Sequence, residues 1–145
     1  LILEVASLLH DTGSYITRSG HHKQSFYIIL HSGLFGLGSE DLLMAALIAR
    51  YHRRALPHPD HPEYNSLPMD KRIRVLKMAA ILRVADALDL QHSQRLRDIE
   101  FSIDSGRLIV TTRAGGNLDL EQHKLKEKSN LFLQVYGLET FLKGI

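Results

Sequence analysis

The segment MAAILRVADAL, residues 78 to 88, is almost continuously apolar and predicts a helix that is buried on most of its sides. Asp86 lies within this segment. A carboxylate that is buried without compensation costs free energy, so Asp86 needs an opposite charge or hydrogen-bond donors close by. This requirement constrains the chain more than any other feature, because the fold has to supply the compensation in its interior.

The start of the chain also combines apolar residues with side chains that can carry charge. Leu1, Val5 and Leu8 form a helical apolar stripe that delivers His10 and Asp11 to the end of the predicted helix. Two interpretations stay open from these residues alone. The pair can be an ordinary helix terminus, in which the histidine favours the helix dipole and the aspartate turns the chain, or it can bind a metal ion.

Composition limits the kinds of metal site that are available. The 145 residues contain no cysteine, so a metal ion would have to be bound by His, Asp or Glu. This composition is compatible with a reducing cytoplasm, which we expect as the location. Eighteen Lys and Arg face sixteen Asp and Glu, a near balance from which no nucleic-acid partner is expected. No apolar run predicts a membrane span, and because the chain opens without methionine in the middle of a helical pattern, we expect it to be a fragment.

Periodicity predicts a mainly α fold with a small α+β part. Residues 1–96 are expected to form a helical domain, truncated at its N-terminus, and residues 97–145 a β-β-α-β subdomain. The predicted helices cover residues 1–10, 22–32, 39–54 with an N-cap at Ser39, 70–90 and 120–134, the last after a break at Gly115 and Gly116. A long proline-rich loop covers residues 55–68, a hairpin with a tight turn residues 99–113, and a last strand residues 138–142.

Four predicted helices each carry a candidate ligand for one shared cavity. These residues are His10 with Asp11, His21, His52 and Asp86. Helical bundles commonly build metal sites from facing helices in this way. The alternative for Asp86 is a structural ion pair with Arg83 or Arg50. Among the other histidines, His58 and His61 are predicted in the loop, and His31, His92 and His123 on the surface.

The adjacent His-Asp pair, the later histidines and the distal aspartate of LRVADALD resemble the HD superfamily of metal-dependent phosphohydrolases. Four blocks in order, LLHDTGSYI, GHHKQSFYII, ARYHRR and AAILRVADALDLQHS, resemble more closely the C-terminal region of the exopolyphosphatase and guanosine pentaphosphate phosphatase family. The resemblance implies an HD-type helical bundle and metal-ligand roles for His10, Asp11 and Asp86, with His21 and His52 as additional histidines. The chain departs from the pattern in three ways: the usual upstream histidine is absent, Ser14 replaces a common lysine, and Gln24 replaces a common histidine.

In that family, two actin-like domains that precede this region perform the hydrolysis. The resemblance therefore implies an accessory domain that contributes to dimerisation and to binding of polyphosphate or guanosine polyphosphate. The chain alone is expected to hydrolyse these compounds weakly or not at all. The alternative is an active metal-dependent phosphohydrolase, in which a Mn, Fe or Mg ion activates a bound water. A purely structural interaction module is the third possibility.

Three arginines beside His52 are candidates for phosphate binding. Arg50, Arg53 and Arg54 lie near one end of the third predicted helix, where guanidinium groups could draw phosphate toward the cavity. The alternative is that they only offset the dipole at the helix C-terminus. The second basic cluster, residues 71–77, is interpreted as a solvated helix face.

Overall fold

The computed structural model describes residues 1–89, 95–113 and 116–145. These residues form two compact units, Leu1–Leu82 and Arg83–Ile145. The division falls within a long helix, whereas the sequence places the domain boundary near residue 96. The predicted helix end at Leu90, His92 and the break at Gly115 lie outside the described residues.

Helices build the first unit. They are α1 (Ile2–Leu9), a 3₁₀ turn (Thr12–Tyr15), α2 (His21–Leu30), α3 (Ser39–Arg50), α4 (Pro62–Asn65) and the first part of α5 (Met69–Leu88). Helix α3 contacts both α1 and α2, and its residues Met44 to Ala49 are completely buried. The unit is therefore organised around α3, whose C-terminal end leads into His52.

The boundaries of α3 differ from those predicted. Gly38, not Ser39, is the N-cap residue, and the helix ends at Arg50 before Arg53 and Arg54 are reached. The predicted loop over residues 55–68 contains the single helical turn α4, which begins with Pro62 at its first position. Proline suits that position, because its missing N–H group would have no partner within the helix.

The second unit contains the end of α5, a three-stranded sheet and two further helices. These elements are β1 (Glu100–Asp104), β2 (Arg107–Thr112), α6 (Asp119–Lys128), α7 (Asn130–Tyr136) and β3 (Glu139–Gly144). The predicted hairpin is confirmed: β1 and β2 pair antiparallel across Ser105 and Gly106, which have φ angles of 48° and 76°. Positive φ at both turn positions is typical of a tight hairpin turn with the twist of the flanking strands. The strand β3 lies parallel to β2, and the sheet order is β1-β2-β3.

The prediction of a single helix over residues 120–134 is wrong, because the chain forms two helices that meet at Ser129. The carbonyl oxygen of Lys128 accepts a hydrogen bond from Nε of Arg83, at 3.0 Å. The side chain of Asn130 in turn accepts a hydrogen bond from the backbone N–H of Leu131, at 2.8 Å. These contacts satisfy backbone groups at the junction and permit a new helix to begin.

The described part of the chain is thus mainly helical with a small sheet, as the sequence predicts. Within the described ranges, none of the helices combines the length and the apolar character that crossing a membrane requires.

Candidate metal centre

His10 and Asp11 lie where α1 ends. His10 is the C-cap residue of the helix, and Asp11 leads into the 3₁₀ turn. The Nδ1 atom of His10 lies 2.7 Å from the carbonyl oxygen of Ser7, three residues earlier. Because a carbonyl oxygen only accepts, Nδ1 carries the hydrogen, and the other ring nitrogen of a neutral imidazole is left with its lone pair. That atom, Nε2, lies 3.4 Å from Oδ2 of Asp11.

His52 approaches the same carboxylate from the end of α3. Its side chain is 2% exposed, and its Nδ1 lies 2.5 Å from the carbonyl oxygen of Ala49, again three residues earlier. The same chemical argument assigns the hydrogen to Nδ1. Nε2 of His52 lies 3.6 Å from Oδ1 of Asp11. Two histidines thus turn their Nε2 atoms to Asp11 while backbone carbonyls hold their opposite nitrogens.

His21 completes the group from the first residue of α2. Its Nε2 lies 3.0 Å from Oδ1 of Asp11 and 3.3 Å from Nε2 of His52. Its Nδ1 lies 3.3 Å from the carbonyl oxygen of Arg18 and 3.4 Å from Nη1 of Arg53. The first contact needs a hydrogen on Nδ1 and the second needs a lone pair there, so only one of the two can be a hydrogen bond in a given neutral tautomer.

The rings are packed together as well. The ring of His52 meets His10 edge to face at 4.9 Å and stacks on His21 at 5.3 Å between centroids. One ligand atom each of His10, Asp11 and His52 lies within 4.8 Å of the others, close enough for one metal ion to contact all three. The structure thus brings together His10, Asp11, His21 and His52, four of the five predicted ligands; their role as ligands stays a prediction.

Gly13 fixes the position of Asp11 against α2. Its backbone N–H donates to Oγ of the fully buried Ser25, at 2.9 Å. A Cβ atom at residue 13 would lie 2.1 Å from the carbonyl oxygen of His21 and 2.5 Å from the backbone nitrogen of Ser25. Only glycine permits this approach. Sequence reasoning missed this contact, although the His-Asp-x-Gly spacing contains the signal.

The neighbouring His22 has a different environment. Its pKa is lowered, first by burial and then by the positive charge of Arg53. Its Nδ1 atom is buried and has no hydrogen-bond partner among the described residues. Because burial and the nearby cation both favour its neutral form, His22 adds no positive charge beside His21 at neutral pH.

The three candidate phosphate-binding arginines occupy different environments. Arg50 lies 3.4 Å from Glu63 and places its guanidinium group 5.4 Å from the ring centre of Phe26. Arg53 is half-buried beside His21, and Arg54 is exposed. Arg50 therefore links α3 to α4 and packs on α2, whereas Arg53 lies next to the histidine cluster.

Tyr51 is a residue near the cluster that sequence reasoning missed. It is fully buried, and burial raises its pKa to about 12. Its hydroxyl lies 2.7 Å from Nδ1 of His61, and the two rings stack at 5.6 Å. Tyr51, which directly precedes His52, thereby anchors the proline-rich loop at the end of α3. No local pattern could have revealed this pairing, because residues 51 and 61 belong to different elements.

Three of the other histidines lie on the surface, as predicted. His58 is in the loop and exposed, and His31 and His123 are exposed too. These predictions are confirmed.

Asp86 belongs to the second unit, where its carboxylate forms an ion pair with the ammonium group of Lys128. The nearby Arg83 is 3% exposed and binds the Lys128 carbonyl and, at 3.1 Å, Oδ1 of Asn130. Burial lowers the pKa of Arg83, and the negative charge of Asp86 partly opposes that shift. Asp86 thus has a structural ion pair with Lys128, and its charge also acts on Arg83, one of the two arginines proposed for it; its role as a metal ligand stays a prediction.

One comparison with known proteins shows the family of this chain. The family model described as Ppx/GppA phosphatase, domain III, matches residues 1–134, which is nearly the whole chain. A third domain implies a parent chain with further domains. The match includes the histidine cluster of the first unit and most of the second unit. We conclude that the chain belongs to the Ppx/GppA phosphatase family and corresponds to its domain III.

Proposed function

We propose that this chain is a metal-binding accessory domain of a Ppx/GppA phosphatase, and that His10, Asp11 and His52 hold one divalent ion with His21 beside it. One observation carries the proposal: the Nε2 atoms of three histidines face the Asp11 carboxylate at 3.0 to 3.6 Å. For His10 and His52, backbone carbonyls hold the opposite nitrogen. Metal-binding histidines commonly have their second nitrogen held in this way.

The arrangement needs a proton or a cation among these atoms. Lone pairs on neighbouring Nε2 atoms and a carboxylate repel one another unless a proton or a metal ion lies among them. The contact of 3.3 Å between Nε2 of His21 and Nε2 of His52 is an example. Two imidazoles and one carboxylate are suitable ligands for Mn or Fe, whereas Mg prefers oxygen ligands. Mn or Fe is therefore our first choice, and Mg our last.

A bound ion would also explain a role in phosphate binding. Three protein ligands leave coordination positions open for the oxygens of a phosphate chain, and the metal would supply positive charge there. Arg53, with its guanidinium group beside His21, and the exposed Arg54 are suited to the neighbouring phosphates. We therefore propose polyphosphate or guanosine polyphosphate as the ligand. Arg50, which contacts Glu63 and Phe26, would support the fold of this region.

The metal hypothesis is tested by elemental analysis of the purified chain, followed by calorimetric titration with Mn²⁺. We expect one bound ion per chain and a loss of affinity of roughly 100-fold or more in His52→Gln and in Asp11→Asn. His31→Gln is the matched control, because His31 is exposed and lies outside the cluster. Equal affinity in the wild type and both cluster variants would end the proposal.

A second titration tests phosphate binding. We expect polyphosphate to bind the Mn²⁺-loaded chain with an affinity that falls steeply between low and high salt, because binding releases counterions. Arg53→Gln with Arg54→Gln should weaken binding by roughly tenfold. Arg74→Gln with Lys77→Gln removes the same charge from the exposed face of α5 and should change it less. An equal effect of both pairs would mean that only the net charge matters and would remove the phosphate path.

Hydrolysis by this chain alone is the second candidate function. The open positions that a three-ligand site leaves could hold a water molecule as well as a phosphate oxygen, which favours this candidate. We expect little or no phosphate release from polyphosphate or nucleotides with Mn²⁺ present. Metal-dependent release that is lost in Asp11→Asn and in Asp86→Ala would instead support an active phosphohydrolase.

Further parts of the proposal come from the family resemblance. We propose that the chain has an HD-type bundle, lies in the cytoplasm, acts beside the actin-like domains of its parent and contributes to a homodimer. Sedimentation analysis of the parent chain with and without this domain tests the last point. Loss of the dimer on removal of the domain is the expected result.

A further inference from the structure

Among the described residues, no strand pairs with the outer edge of the sheet in the second unit, at β1. In the order β1-β2-β3 of the described strands, β1 lies at the edge beside β2, and all five residues from Glu100 to Asp104 are exposed. The opposite strand is protected, because α6 and α7 contact β3. Oε1 of Gln122 on α6 accepts a hydrogen bond from the backbone N–H of Leu142, at 2.8 Å. The two edges of one small sheet therefore differ in what they can bind.

One face of β1 carries large apolar side chains. Phe101 is 62% exposed and Ile103 is 69% exposed. The strand register places Phe101 beside Val110, which in turn lies beside Leu142, and both of these residues are buried. Phe101 therefore extends the apolar face of the sheet to an edge where the chain leaves it open. Exposed strand edges of this kind are ready to pair with another strand.

The other face of β1 is acidic. Glu100 and Asp104 lie at its two ends, separated by Ser102. Antiparallel pairing of two copies about Ser102 would place Glu100 of each copy opposite Asp104 of the other. Like charges in directly opposite positions destabilise a sheet. The edge therefore disfavours a second copy of this chain and favours a strand that carries cations.

From this edge we infer a docking site for an extended partner segment in which apolar residues alternate with Lys or Arg. The segment adds a fourth strand beside β1, so that backbone hydrogen bonds supply affinity. Its apolar side chains cover Phe101 and Ile103 on one face, and its cations face Glu100 and Asp104 on the other. Alternation with a period of two is required, because successive side chains of a strand point to opposite faces.

A peptide with the sequence GRLIVTTR, residues 106–113, is a suitable probe. In the structure this sequence already pairs with the inner edge of β1, where Arg107 lies opposite Asp104, Leu108 opposite Ile103 and Val110 opposite Phe101. On the outer edge the same register would place Arg107 opposite Asp104 and apolar residues opposite Ile103 and Phe101, with Thr111 opposite Glu100, whose carboxylate adds to the negative charge of the edge. A peptide in which both arginines are replaced by glutamate has the same β-propensity pattern with the opposite charge.

The experiment is a titration of the ¹⁵N-labelled chain with this peptide, followed by NMR. We expect shifts and slowed amide exchange at residues 99–104. Phe101→Thr with Ile103→Thr should weaken binding roughly tenfold or more, and Glu100→Lys roughly two- to tenfold. Phe35→Thr is the matched control: Phe35 is fully exposed in the first unit, and its replacement should leave the affinity unchanged.

Three results would overturn the inference. The first is the absence of shifts at β1, and the second is equal binding of the glutamate peptide. The third is a dimer of the chain that the changes at Phe101 and Ile103 dissociate, since a second copy would then occupy the edge. Glu100→Lys changes one exposed side chain, so it tests the charge requirement even if the double variant folds poorly.

Discussion

Asp11 in the first unit and Asp86 in the second are both carboxylates at the ends of helices, yet their surroundings differ. Asp11 is 32% exposed and faces three imidazoles, whose charge depends on whether a proton or a metal ion is present. Asp86 is 10% exposed and faces the ammonium group of Lys128. An ammonium group keeps its charge at neutral pH and needs no metal. The comparison shows two ways to compensate the charge of a partly buried carboxylate. Imidazoles do so only when they hold a proton or a metal ion, whereas an ammonium group does so at all times near neutral pH.

The largest expected effect comes from disturbing the packing that holds Asp11 in place. Gly13→Ala would bring a Cβ atom to 2.1 Å from a backbone oxygen, so α2 would have to move away from the 3₁₀ turn. We expect the free energy of unfolding to fall by about 3 kcal/mol, as measured by urea denaturation. Affinity for Mn²⁺ should fall as well.

Gly38→Ala is the control for this change. A Cβ atom there has open space, and the backbone φ of −73° suits alanine, so the loss should stay below about 1 kcal/mol. If Gly13→Ala cost no more than Gly38→Ala, the close approach of Gly13 and α2 would not be what positions the cluster.

A smaller effect is expected at Asp86. Asp86→Ala leaves the partly buried Lys128 without this carboxylate and should lower the free energy of unfolding by about 2 kcal/mol. Adding Lys128→Met should recover at least half of the loss, because the uncompensated charge of Lys128 is then gone, while Arg83 still lacks the nearby negative charge. Denaturation of both single variants and the double variant gives the coupling energy.

The variants at Asp86 also test whether Asp86 and Asp11 have different roles. If the double variant lost as much unfolding free energy as the two single variants together, this would contradict a structural ion pair between Asp86 and Lys128. Mn²⁺ titration of Asp86→Ala then tests the role that the family resemblance implies, since a ligand of the ion would be needed for tight binding.

The smallest effect concerns pH. The pKa of His61 is lowered, first by burial and then by Arg50, so the folded state favours the neutral ring more than the unfolded state does. This contribution is complete above pH 6.5, the ordinary pKa, and is lost as the pH falls from there through the lowered folded value. His61→Phe keeps a ring against Tyr51 and removes the titration.

The difference in unfolding free energy between the wild type and His61→Phe should therefore change by less than about 1 kcal/mol between pH 7.5 and pH 5. His58→Asn, at an exposed position in the same loop, is the control and should show a smaller change. A difference that does not vary with pH would mean that His61 titrates alike in the folded and unfolded chain.

The sequence by itself determined the local elements of this protein. Apolar spacing predicted α1, α2, α3 and α5, and the change to alternation at Phe101 and Ile103 predicted the hairpin. These features are local, because hydrophobic period and turn residues act over a few positions of the chain. The break at Ser129 was missed, since Arg83, far away in the sequence, takes the carbonyl of Lys128.

For the candidate site, too, the sequence determined one part and the tertiary structure another. Residue chemistry and the family resemblance selected His10, Asp11, His21 and His52, but only the tertiary structure gave the distances among their side chains. Those distances depend on contacts between residues far apart in sequence, such as Gly13 with Ser25 and Tyr51 with His61. The pairing of Asp86 with Lys128 spans 42 residues. No local pattern encodes such contacts, because packing between distant elements decides which charged groups meet.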